Sequence, residues 1–531
     1  MKRLGHLCVI CLFLAFIYLP PVLSVLIKDR AVSLAEKRRL ARRPHLEFTL
    51  SSLARFPKQL EIYYKDHFGL REQLIQLHNK FYFYILRKSP LPGVTVGQDN
   101  WLFYNGDGAL ADFFGLPAYP EAQYETWKRL LEDREEWLGD LGIRYLCVVA
   151  PNKMMVYPEK LPPRVRERAG TTQLGALADY LARHARLSGF VDLRGELLAA
   201  KQRGPLYYRL DTHWNADGAL VGYGAIISRI RQWFPQVEPL TEKSLKKTPE
   251  TRNGDIRIML NVNSLPAERS SRWDAEPARC PPRPPRVAVD FKPPPGWPRD
   301  RRHLPYQNSC SGGPLTVLLI QDSFGQYLHG FFNETFGRVI YSNFCDLKDI
   351  KGLFAKEKPE VIVDLRVARH LNGLLKEDPE IERAILKKHF PLSTDVRLSV
   401  GPETWSRRPG KTSDLLVQPR GDGLLLRASG NDPAMEFTFA APPEREQDPL
   451  LVRLVMVSPA DTVMAVYYTT QESPVFSKEQ VVSRQIRRGE NEVLFRLPHP
   501  RTAGRIRFDP GMVPGDYLLK SFVVAREGGR R

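Results

Sequence analysis

The stretch LTVLLIQDSFG, residues 315–325, decides the fold of this 531-residue chain. Its apolar first half predicts a buried strand, which ends abruptly in Asp322-Ser323 before a helix-like segment. Polar side chains at the carboxyl end of a parallel strand, facing helix N–H groups, build the active sites of many α/β proteins. Ser323 is therefore a candidate nucleophile, although Ser323 or Asp322 would equally serve as a helix N-cap.

Short apolar strands alternate with helix-like segments on both sides of this stretch. The sequence predicts further strands at Ile143–Ala150, Phe190–Asp192, Arg338–Tyr341 and Val361–Asp364. Strands of this kind, separated by helices, are typical of a mainly parallel sheet with helices on both faces. We expect this α/β domain to cover residues 46–392.

Two further regions depart from the alternation. Residues 264–314 are rich in proline and predict a loop insertion, either a passive surface loop or a lid. Residues 395–531 contain short strand-like runs separated by Gly, Pro, Asp and Asn, a pattern typical of a β-sandwich.

The composition limits the class of partner. Hydrophobic residues make up 43% of the chain, which excludes wholesale disorder. The net charge of +18 suits an anionic membrane face, an acidic polysaccharide or nucleic acid. Because no RRM, zinc-finger or P-loop signature is present, we expect no nucleic-acid partner. No CxxC pair lies outside the apolar N-terminal run and no His cluster has metal-ligand spacing, so we expect no metal and no cofactor.

The N-terminus contains an almost uninterrupted apolar run, Leu7–Ile27, preceded by Lys2 and Arg3. About 20 apolar residues suffice for a membrane-spanning helix, so residues 1–45 predict a signal-anchor and a basic juxtamembrane segment. A cleaved signal peptide is the alternative. The basic residues that follow the run oppose an outward orientation under the positive-inside rule, and that conflict stays open.

A second chemical motif is RLDTHWN, residues 209–215, which joins a strand-like stretch to a helix. Asp211 and His213, two residues apart, would project to one side, so that the carboxylate orients an imidazole that acts as base. Asp211 as a helix cap and His213 as a surface residue is an equally good interpretation of the spacing. Because His213 and Ser323 both fall at predicted strand ends, we hypothesise a Ser-His-Asp triad.

Two other strand ends carry polar side chains. Asn152 and Lys153 follow Ile143–Ala150 and would donate to an oxyanion or an acidic sugar, or simply form an exposed turn. Arg366 and Arg369 end another strand and would bind a carboxylate through the guanidinium fork, or form structural salt bridges.

Five short motifs follow one another along the chain: DHFGLR (66–71), VGQDNWLFY (96–104), PNK with VYPE (151–159), DTHWN (211–215) and DSF (322–324). In this order they resemble the alginate O-acetyltransferase family, the AlgJ/AlgX-type SGNH-hydrolase-like proteins of exopolysaccharide acetylation. The resemblance covers roughly residues 50–390. The β-rich C-terminal part looks like the carbohydrate-binding module carried by some members.

The resemblance implies an SGNH-hydrolase-like α/β fold and a periplasmic catalytic part. It implies Ser323 as nucleophile, His213 as base and Asp211 as the residue that orients His213. It also implies a polysaccharide acceptor, an inner-membrane location and a membrane-bound acyltransferase that supplies acetyl groups. Two departures stand out, since Gln321 replaces the family's glycine and Ala368-Arg369 replaces a Glu-Arg pair.

The sequence therefore predicts an O-acetyltransferase that modifies the hydroxyls of an exported or cell-surface polysaccharide through an acyl-serine. A carbohydrate acetylesterase with the same triad and a catalytically silent polysaccharide-binding scaffold are the alternatives. Cys280 and Cys310 flank the proline-rich stretch, and whether they form a bridge stays open.

Overall fold

A computed structural model gives the fold. It describes residues 2–26, 32–33, 38–185, 187–262, 264–281, 286–295, 297, 304–309, 313–343, 345–393, 395–401, 410–430, 432–440, 449–497 and 502–527. Cys280 is disulfide-bonded. Cys310, which the sequence offers as a bridging partner, lies outside the described residues.

The helices occupy the following ranges in chain order: α1 Lys2–Leu26, α2 Leu50–Asp66, α3 Arg71–Lys80, α4 Ala109–Phe113, α5 Glu121–Asp140, α6 Lys153–Val156, α7 Pro163–Arg166, α8 Gln173–His184, α9 Arg194–Ala200, α10 Ala216–Trp233, α11 Asp255–Leu260, α12 His329–Thr335, α13 Lys351–Glu357, α14 Leu371–Leu374 and α15 Pro379–His389.

The strands occupy the following ranges: β1 Val32–Ser33, β2 Arg38–Arg39, β3 Val94–Val96, β4 Leu102–Tyr104, β5 Arg144–Ala150, β6 Phe190–Asp192, β7 Leu245–Arg252, β8 Glu268–Ala275, β9 Val287–Ala288, β10 Tyr306–Ser309, β11 Thr316–Gln321, β12 Arg338–Asn343, β13 Val361–Val367, β14 Val396–Val400, β15 Thr412–Ser413, β16 Leu415–Arg420, β17 Gly423–Ala428, β18 Ala434–Thr438, β19 Leu450–Ser458, β20 Thr462–Thr470, β21 Val481–Ile486, β22 Gly489–Arg496, β23 Thr502–Asp509 and β24 Gly515–Arg526.

Residues 7–26 of the apolar N-terminal run lie in α1. Across the described residues, however, no helix combines the length and the apolar character that crossing a membrane requires. The predicted single-pass anchor is therefore unsupported.

The chain divides into two compact units. Unit 1 comprises residues 1–119 and 143–374, and unit 2 comprises residues 120–142 and 375–531. These bounds differ from the predicted ones, because residues 120–142 and 375–392 belong to unit 2. In that unit α5 carries Asp133, whose carboxylate receives two hydrogen bonds from Arg496 of β22.

Unit 1 is built on a seven-stranded sheet with the strand order β6-β5-β13-β11-β12-β10-β9. The five strands from β6 to β12 run parallel, whereas β10 and β9 pair antiparallel at one edge. Every residue of β13 is buried, as expected for a strand covered on both faces. The predicted mainly parallel α/β sheet is confirmed.

The proline-rich stretch 264–314 is more than the predicted loop insertion. It contributes β9 and β10 to the edge of the main sheet and β8 to an antiparallel hairpin with β7. The prolines fall between these strands, where a missing N–H costs no ladder hydrogen bond.

Unit 2 contains two antiparallel sheets. One has the order β16-β17-β24-β19-β22, with β14 added to β24, and the other has the order β15-β18-β23-β20-β21. Apolar side chains from both sheets form one continuous core, including Leu426, Phe437, Phe508 and Phe522. Two sheets that share a core constitute a sandwich, which confirms the predicted β-rich C-terminal region.

Candidate active site

Ser323 follows directly after β11, in the middle of the parallel sheet. The neighbouring strand β13 pairs with β11 up to Gln321 and Leu365. The N–H of Asp322 then donates to the Leu365 carbonyl, which extends this pairing by one residue. The chain turns at Ser323 into a short 3-10 helix, Gly325–Leu328, which leads into α12. Ser323 thus lies at the carboxyl edge of the sheet.

The fully buried carboxylate of Asp322 fixes this turn. Its Oδ1 accepts the N–H of Phe324 at 2.9 Å, and its Oδ2 accepts the N–H of Val367 at 2.8 Å. The Nδ1 of His370 lies 3.0 Å from Oδ2. Burial opposes the charge on Asp322, but these hydrogen bonds outweigh it and hold the pKa of the carboxyl below its ordinary value.

The segment that carries His213 is a tight loop closed by an antiparallel bridge between Tyr207 and Trp214. The N–H of Tyr208 donates to the His213 carbonyl within that loop. Asn215 then caps α10, because its Oδ1 accepts the N–H of Gly218 at 2.9 Å. Loop closure on one side and helix capping on the other thus restrain the backbone that carries His213.

Ser323, His213 and Asp211 form a continuous chain of hydrogen-bonding atoms. The Nε2 of His213 lies 2.8 Å from the Oγ of Ser323. The Nδ1 of the same ring lies 2.6 Å from the Oδ1 of Asp211. With Nδ1 donating to the carboxylate, Nε2 is the acceptor for the serine hydroxyl. The geometry brings together the three residues that the sequence offered as a triad.

Several donors hold Asp211 as a carboxylate. The N–H of His213 donates to Oδ1 at 3.1 Å, and the N–H of Asp255 donates to Oδ2 at 3.1 Å. The Nε of Arg252 lies 3.5 Å from Oδ2. Burial raises the pKa of Asp211, but the bonds to His213 and the charge of Arg252 lower it well below its ordinary value.

Lys153 lies beneath the His213 loop. Its buried ammonium donates to the carbonyls of Tyr208, Arg209 and Asp211 at 3.0, 3.2 and 2.6 Å. Burial lowers the pKa of Lys153 to about 8, although nearby carboxylates oppose the shift. All three donors of this ammonium are directed at the loop, which leaves none for a substrate.

Asn152 and Arg369 lie side by side at the ends of β5 and β13. The Nη1 of Arg369 donates to the Oδ1 of Asn152 at 3.1 Å, and the guanidinium carbon lies 5.6 Å from the Phe324 ring centroid. Both side chains line a small cavity together with Tyr104 and Thr212. The buried Nδ2 of Asn152 has no hydrogen-bond partner among the described residues. The Nε of Arg369 makes no hydrogen bond there either, but it lies 3.7 Å from the Oδ2 of Asp107. The buried, unused amide donor of Asn152 suits an anionic or carbonyl oxygen.

Arg366 has internal partners. Its Nε donates to Asp364 at 3.0 Å, and its Nη2 donates to the Cys345 carbonyl at 2.5 Å. Its side chain is also buried. Of the two readings that the sequence left for Arg366, the geometry matches the structural salt bridge.

Gln321, which stands in place of the family's glycine, is fully buried. Its Nε2 donates to the Oδ1 of Asn343 at 2.8 Å, and its amide contacts the ring of His329. A Cβ built on Gly325 would meet the Gln321 Cβ at 2.5 Å. The larger side chain at position 321 is thus accommodated by a glycine four residues later.

Sequence reasoning missed three residues at this site: Arg252, Asp255 and Tyr327. Asp255 accepts both the N–H and the hydroxyl of Thr212, at 2.7 and 2.6 Å. The Tyr327 ring lies 5.4 Å from the His213 ring. Arg252 and Asp255 come from the β7 hairpin and the start of α11, and no local motif marks either of them.

Asp211, His213 and Asp255 also bring their ligand atoms within 4.8 Å of one another, a spacing compatible with a metal ion. The two imidazole nitrogens already face Asp211 and Ser323. The cluster is therefore accounted for by its hydrogen bonds.

Part of the chain is similar to proteins of a known family. Residues 94–286 match the family described as "SGNH hydrolase-like domain, acetyltransferase AlgX". This segment of the chain resembles an AlgX-type SGNH hydrolase-like domain. The predicted resemblance to the AlgJ/AlgX proteins is confirmed over this segment, which contains Asn152, Asp211 and His213.

Two curated relatives bear the name "Probable alginate O-acetylase AlgJ". The Pseudomonas aeruginosa protein is 33% identical over 34% of this chain and 44% of its own length. The Pseudomonas fluorescens protein is 26% identical over 40% of this chain and 52% of its own length. The match spans about half the length of these relatives.

Among solved structures, the O-acetyltransferase domain of Pseudomonas putida AlgJ is 20% identical, with a TM-score of 0.35. That likeness covers 55% of this chain and 97% of the AlgJ domain.

Proposed function

We propose that this protein is an O-acetyltransferase that transfers acetyl groups to hydroxyls of an exported or cell-surface polysaccharide. The observation that carries the proposal is the chain of contacts from Ser323 through His213 to Asp211, with separations of 2.8 and 2.6 Å. The similarity to proteins named alginate O-acetylases supports acetyl transfer as the chemistry.

In the first half-reaction, the Oγ of Ser323 attacks the carbonyl carbon of an acetyl donor while His213 Nε2 takes the hydroxyl proton. Asp211, held ionised by its donors, stabilises the imidazolium that forms. The donor's leaving group departs with the proton from His213, and the acetyl group stays on Ser323 as an ester.

The negative oxygen that develops during this attack needs donors. The N–H of Ser323 has no acceptor among the described residues, and it lies at the start of the 3-10 helix. Together with Asn152 Nδ2, which is buried and unpaired, it would form an oxyanion hole. Arg369 would support Asn152 and bind a polar group of the substrate. The hydrogen bonds of Lys153 and Arg366 go to other groups of the protein, so these two residues would stabilise the fold rather than bind substrate.

In the second half-reaction, a sugar hydroxyl loses its proton to His213 and its oxygen attacks the acetyl carbonyl. Ser323 leaves as the alcohol once His213 returns the proton. We propose that the acceptor is an acidic polysaccharide, since the chain has a net charge of +18. The β-sandwich of unit 2 would bind the same polymer as a carbohydrate-binding module.

We further propose that the acetyl donor is supplied by a membrane-bound acyltransferase and that the catalytic part works in the periplasm. The disulfide at Cys280 supports an oxidising compartment.

The proposal is tested by mass balance with an activated acetyl ester and oligosaccharides of uronic acids. We expect the native chain to form acetylated sugar, and Ser323→Ala to form none above background. Free acetate without acetylated sugar, still dependent on Ser323, would instead identify a carbohydrate acetylesterase. Acetylation that persists in Ser323→Ala would remove the serine mechanism altogether.

A further inference from the structure

We propose that Arg252 is a positioning residue of this site, which keeps Asp211 ionised, holds Tyr327 against the His213 ring and thereby sets the pH range in which His213 accepts the serine proton. The inference rests on the triad of the proposed function. It assigns a role to a residue in the β7–β8 hairpin, outside the motifs that identify the site.

The guanidinium of Arg252 occupies a defined position. Its Nε lies 3.5 Å from the Oδ2 of Asp211, and its Nη2 donates to the hydroxyl of Tyr327. The guanidinium carbon lies 5.1 Å from the Tyr208 ring centroid and 4.9 Å from that of Tyr327. A planar cation that contacts two aromatic rings and two oxygen acceptors has little freedom to move.

Tyr327 connects this cation to the base. Its ring lies 5.4 Å from the His213 ring at an interplanar angle of 32°. Since the Tyr327 hydroxyl is held by Arg252, the ring covers one side of the imidazole while Phe324 contacts it from another. Arg252 therefore acts on His213 by two routes, through the charge of Asp211 and through the packing of Tyr327.

The hairpin that carries Arg252 is itself docked on the His213 loop. Glu268, directly opposite Arg252 in the β7–β8 register, accepts the N–H groups of Arg209 and Leu210 at 2.9 and 3.1 Å. Glu250, two residues before Arg252, accepts the hydroxyl of Tyr208 at 3.0 Å. These contacts at the end of the hairpin fix the Arg252 backbone relative to Asp211.

The surrounding charges give the direction of the effect. Removal of Arg252 leaves an excess of carboxylates close to the imidazole, and that excess favours the protonated ring. Ser323 would then lose its base in mildly acidic solution, so its reaction would require a higher pH. Several charged or titratable groups among the described residues contact Asp211, His213 or the loop that carries them. They are Asp255 of α11, Glu250 and Arg252 of β7, Glu268 of β8, Lys153 of α6 and Tyr327.

The test measures how fast an arylsulfonyl fluoride modifies Ser323 of the full-length chain between pH 5 and 9, read by intact mass. In Arg252→Gln we expect the pH midpoint of labelling to rise by a few tenths to about one unit. Labelling at pH 6 would fall about 3- to 10-fold, and labelling at pH 9 would stay within about twofold of native.

Two variants serve as controls. Arg272→Gln removes the same charge from the same hairpin, but Arg272 pairs with Asp274 at 2.9 Å and does not contact Asp211. We expect it to keep the native midpoint. Arg252→Lys retains the charge without the planar fork. We expect its pH midpoint of labelling to lie close to the native value, and its labelling rate to stay below the native rate.

A second measurement separates this inference from the proposed function. The titration of the His213 ring is followed by NMR, with His213→Gln identifying the signal, in native and Arg252→Gln protein. If the native chain is never labelled at Ser323, the proposed function fails, and the titration alone decides the role of Arg252. An unchanged midpoint in Arg252→Gln, or a rate loss that is equal at every pH, would overturn the inference.

Discussion

The indole N–H of Trp214 donates a hydrogen bond to the carbonyl oxygen of Phe324 at 3.1 Å. Trp214 follows the candidate base His213, and Phe324 follows the candidate nucleophile Ser323. Both side chains are fully buried. This bond therefore joins two segments that are distant in sequence and sets the spacing of base and nucleophile independently of the triad's own contacts.

Replacement of the Trp214 indole tests the role of this hydrogen bond. Trp214→Phe removes this donor and part of a buried side chain, while the Phe324 carbonyl keeps the N–H of Tyr327 at 3.3 Å. We expect the substitution to cost about 1 to 3 kcal/mol of unfolding free energy. Loss of this hydrogen bond would also slow sulfonylation of Ser323 by about tenfold or more, because small misplacements of reacting groups strongly reduce the reaction rate. Trp233→Phe, at the half-buried end of α10, is the matched control, and an equal effect there would contradict the account.

Lys153 offers a test of the loop that carries Asp211. Lys153→Met keeps the length of the side chain but removes the ammonium donor from the carbonyls of Tyr208 and Asp211. The third carbonyl, that of Arg209, keeps the N–H of Leu102 at 2.9 Å. We expect a loss of about 2 to 4 kcal/mol in urea unfolding, since each unpaired buried carbonyl costs about 1 to 3 kcal/mol and relief of the buried charge offsets only part. Lys160→Met removes a more exposed partner of Asp99 and is expected to cost less than about 1 kcal/mol. If both variants lose the same amount of unfolding free energy, the bonds from Lys153 to the Asp211 loop do not stabilise the protein in the way we propose.

Gln321 and Gly325 form a steric pair. Gly325→Ala would place a methyl group 2.5 Å from the Gln321 Cβ, and we expect it to cost about 1 to 3 kcal/mol of stability. The same substitution in a Gln321→Gly background should cost at least about 1 kcal/mol less, because the obstacle is gone.

Gly330 supplies the control for that pair. It lies in α12, and an added Cβ there would meet nothing within 4 Å. We expect Gly330→Ala to be neutral or slightly stabilising, since alanine favours a helix over glycine. If the stability changes of Gln321→Gly and Gly325→Ala simply add in the double variant, the two residues do not constrain each other.

We expect the stability of unit 2 to depend on pH because His389 interacts with two carboxylates. Its ring lies 2.8 Å from Glu136 and 3.2 Å from Glu527, and these two hydrogen bonds raise the pKa of His389 to about 9. Because this exceeds the unfolded value of about 6.5, the stabilisation is complete below pH 6.5 and is lost as the pH rises through 9. It amounts to at most about 3 kcal/mol.

Hydrogen exchange of unit 2 peptides during urea unfolding, at pH 6 and pH 9.5, measures this term. We expect native protein to lose stability between the two pH values and His389→Gln to lose clearly less. The free energy of unfolding is compared between native protein and His389→Gln at each pH. If that difference is the same at pH 9.5 as at pH 6, the assigned pairing of His389 is wrong.

The sheet, and the segments that carry Asp211, His213 and Ser323, could be predicted from sequence because they leave local signals. The apolar strand before Ser323 and the polar residues that end β5 are readable one segment at a time, and parallel strands bring their carboxyl ends to one edge. The D-x-H spacing of Asp211 and His213 is likewise local.

What escaped prediction depends on tertiary contacts. Lys153 looks like a surface cation in sequence, yet its ammonium lies buried under the Asp211 loop. Arg252 ends an ordinary polar strand, and only the docking of the hairpin brings it to Asp211. The prolines of residues 264–314 obscured β8 and β10, and the ion pair between Asp133 and Arg496 assigns α5 to a unit that its sequence position does not suggest.

The central claim is that Ser323 carries an acetyl group during turnover, and trapping that ester tests it most directly. Full-length protein is mixed with an activated acetyl ester, quenched in acid within seconds, digested and examined by peptide mass. The account predicts one acetyl group on the peptide that contains Ser323, present in native protein, strongly reduced in His213→Gln and absent in Ser323→Ala. Acetylated sugar formed at the native rate with no acetyl group on that peptide, or an adduct equally abundant in His213→Gln, would contradict it.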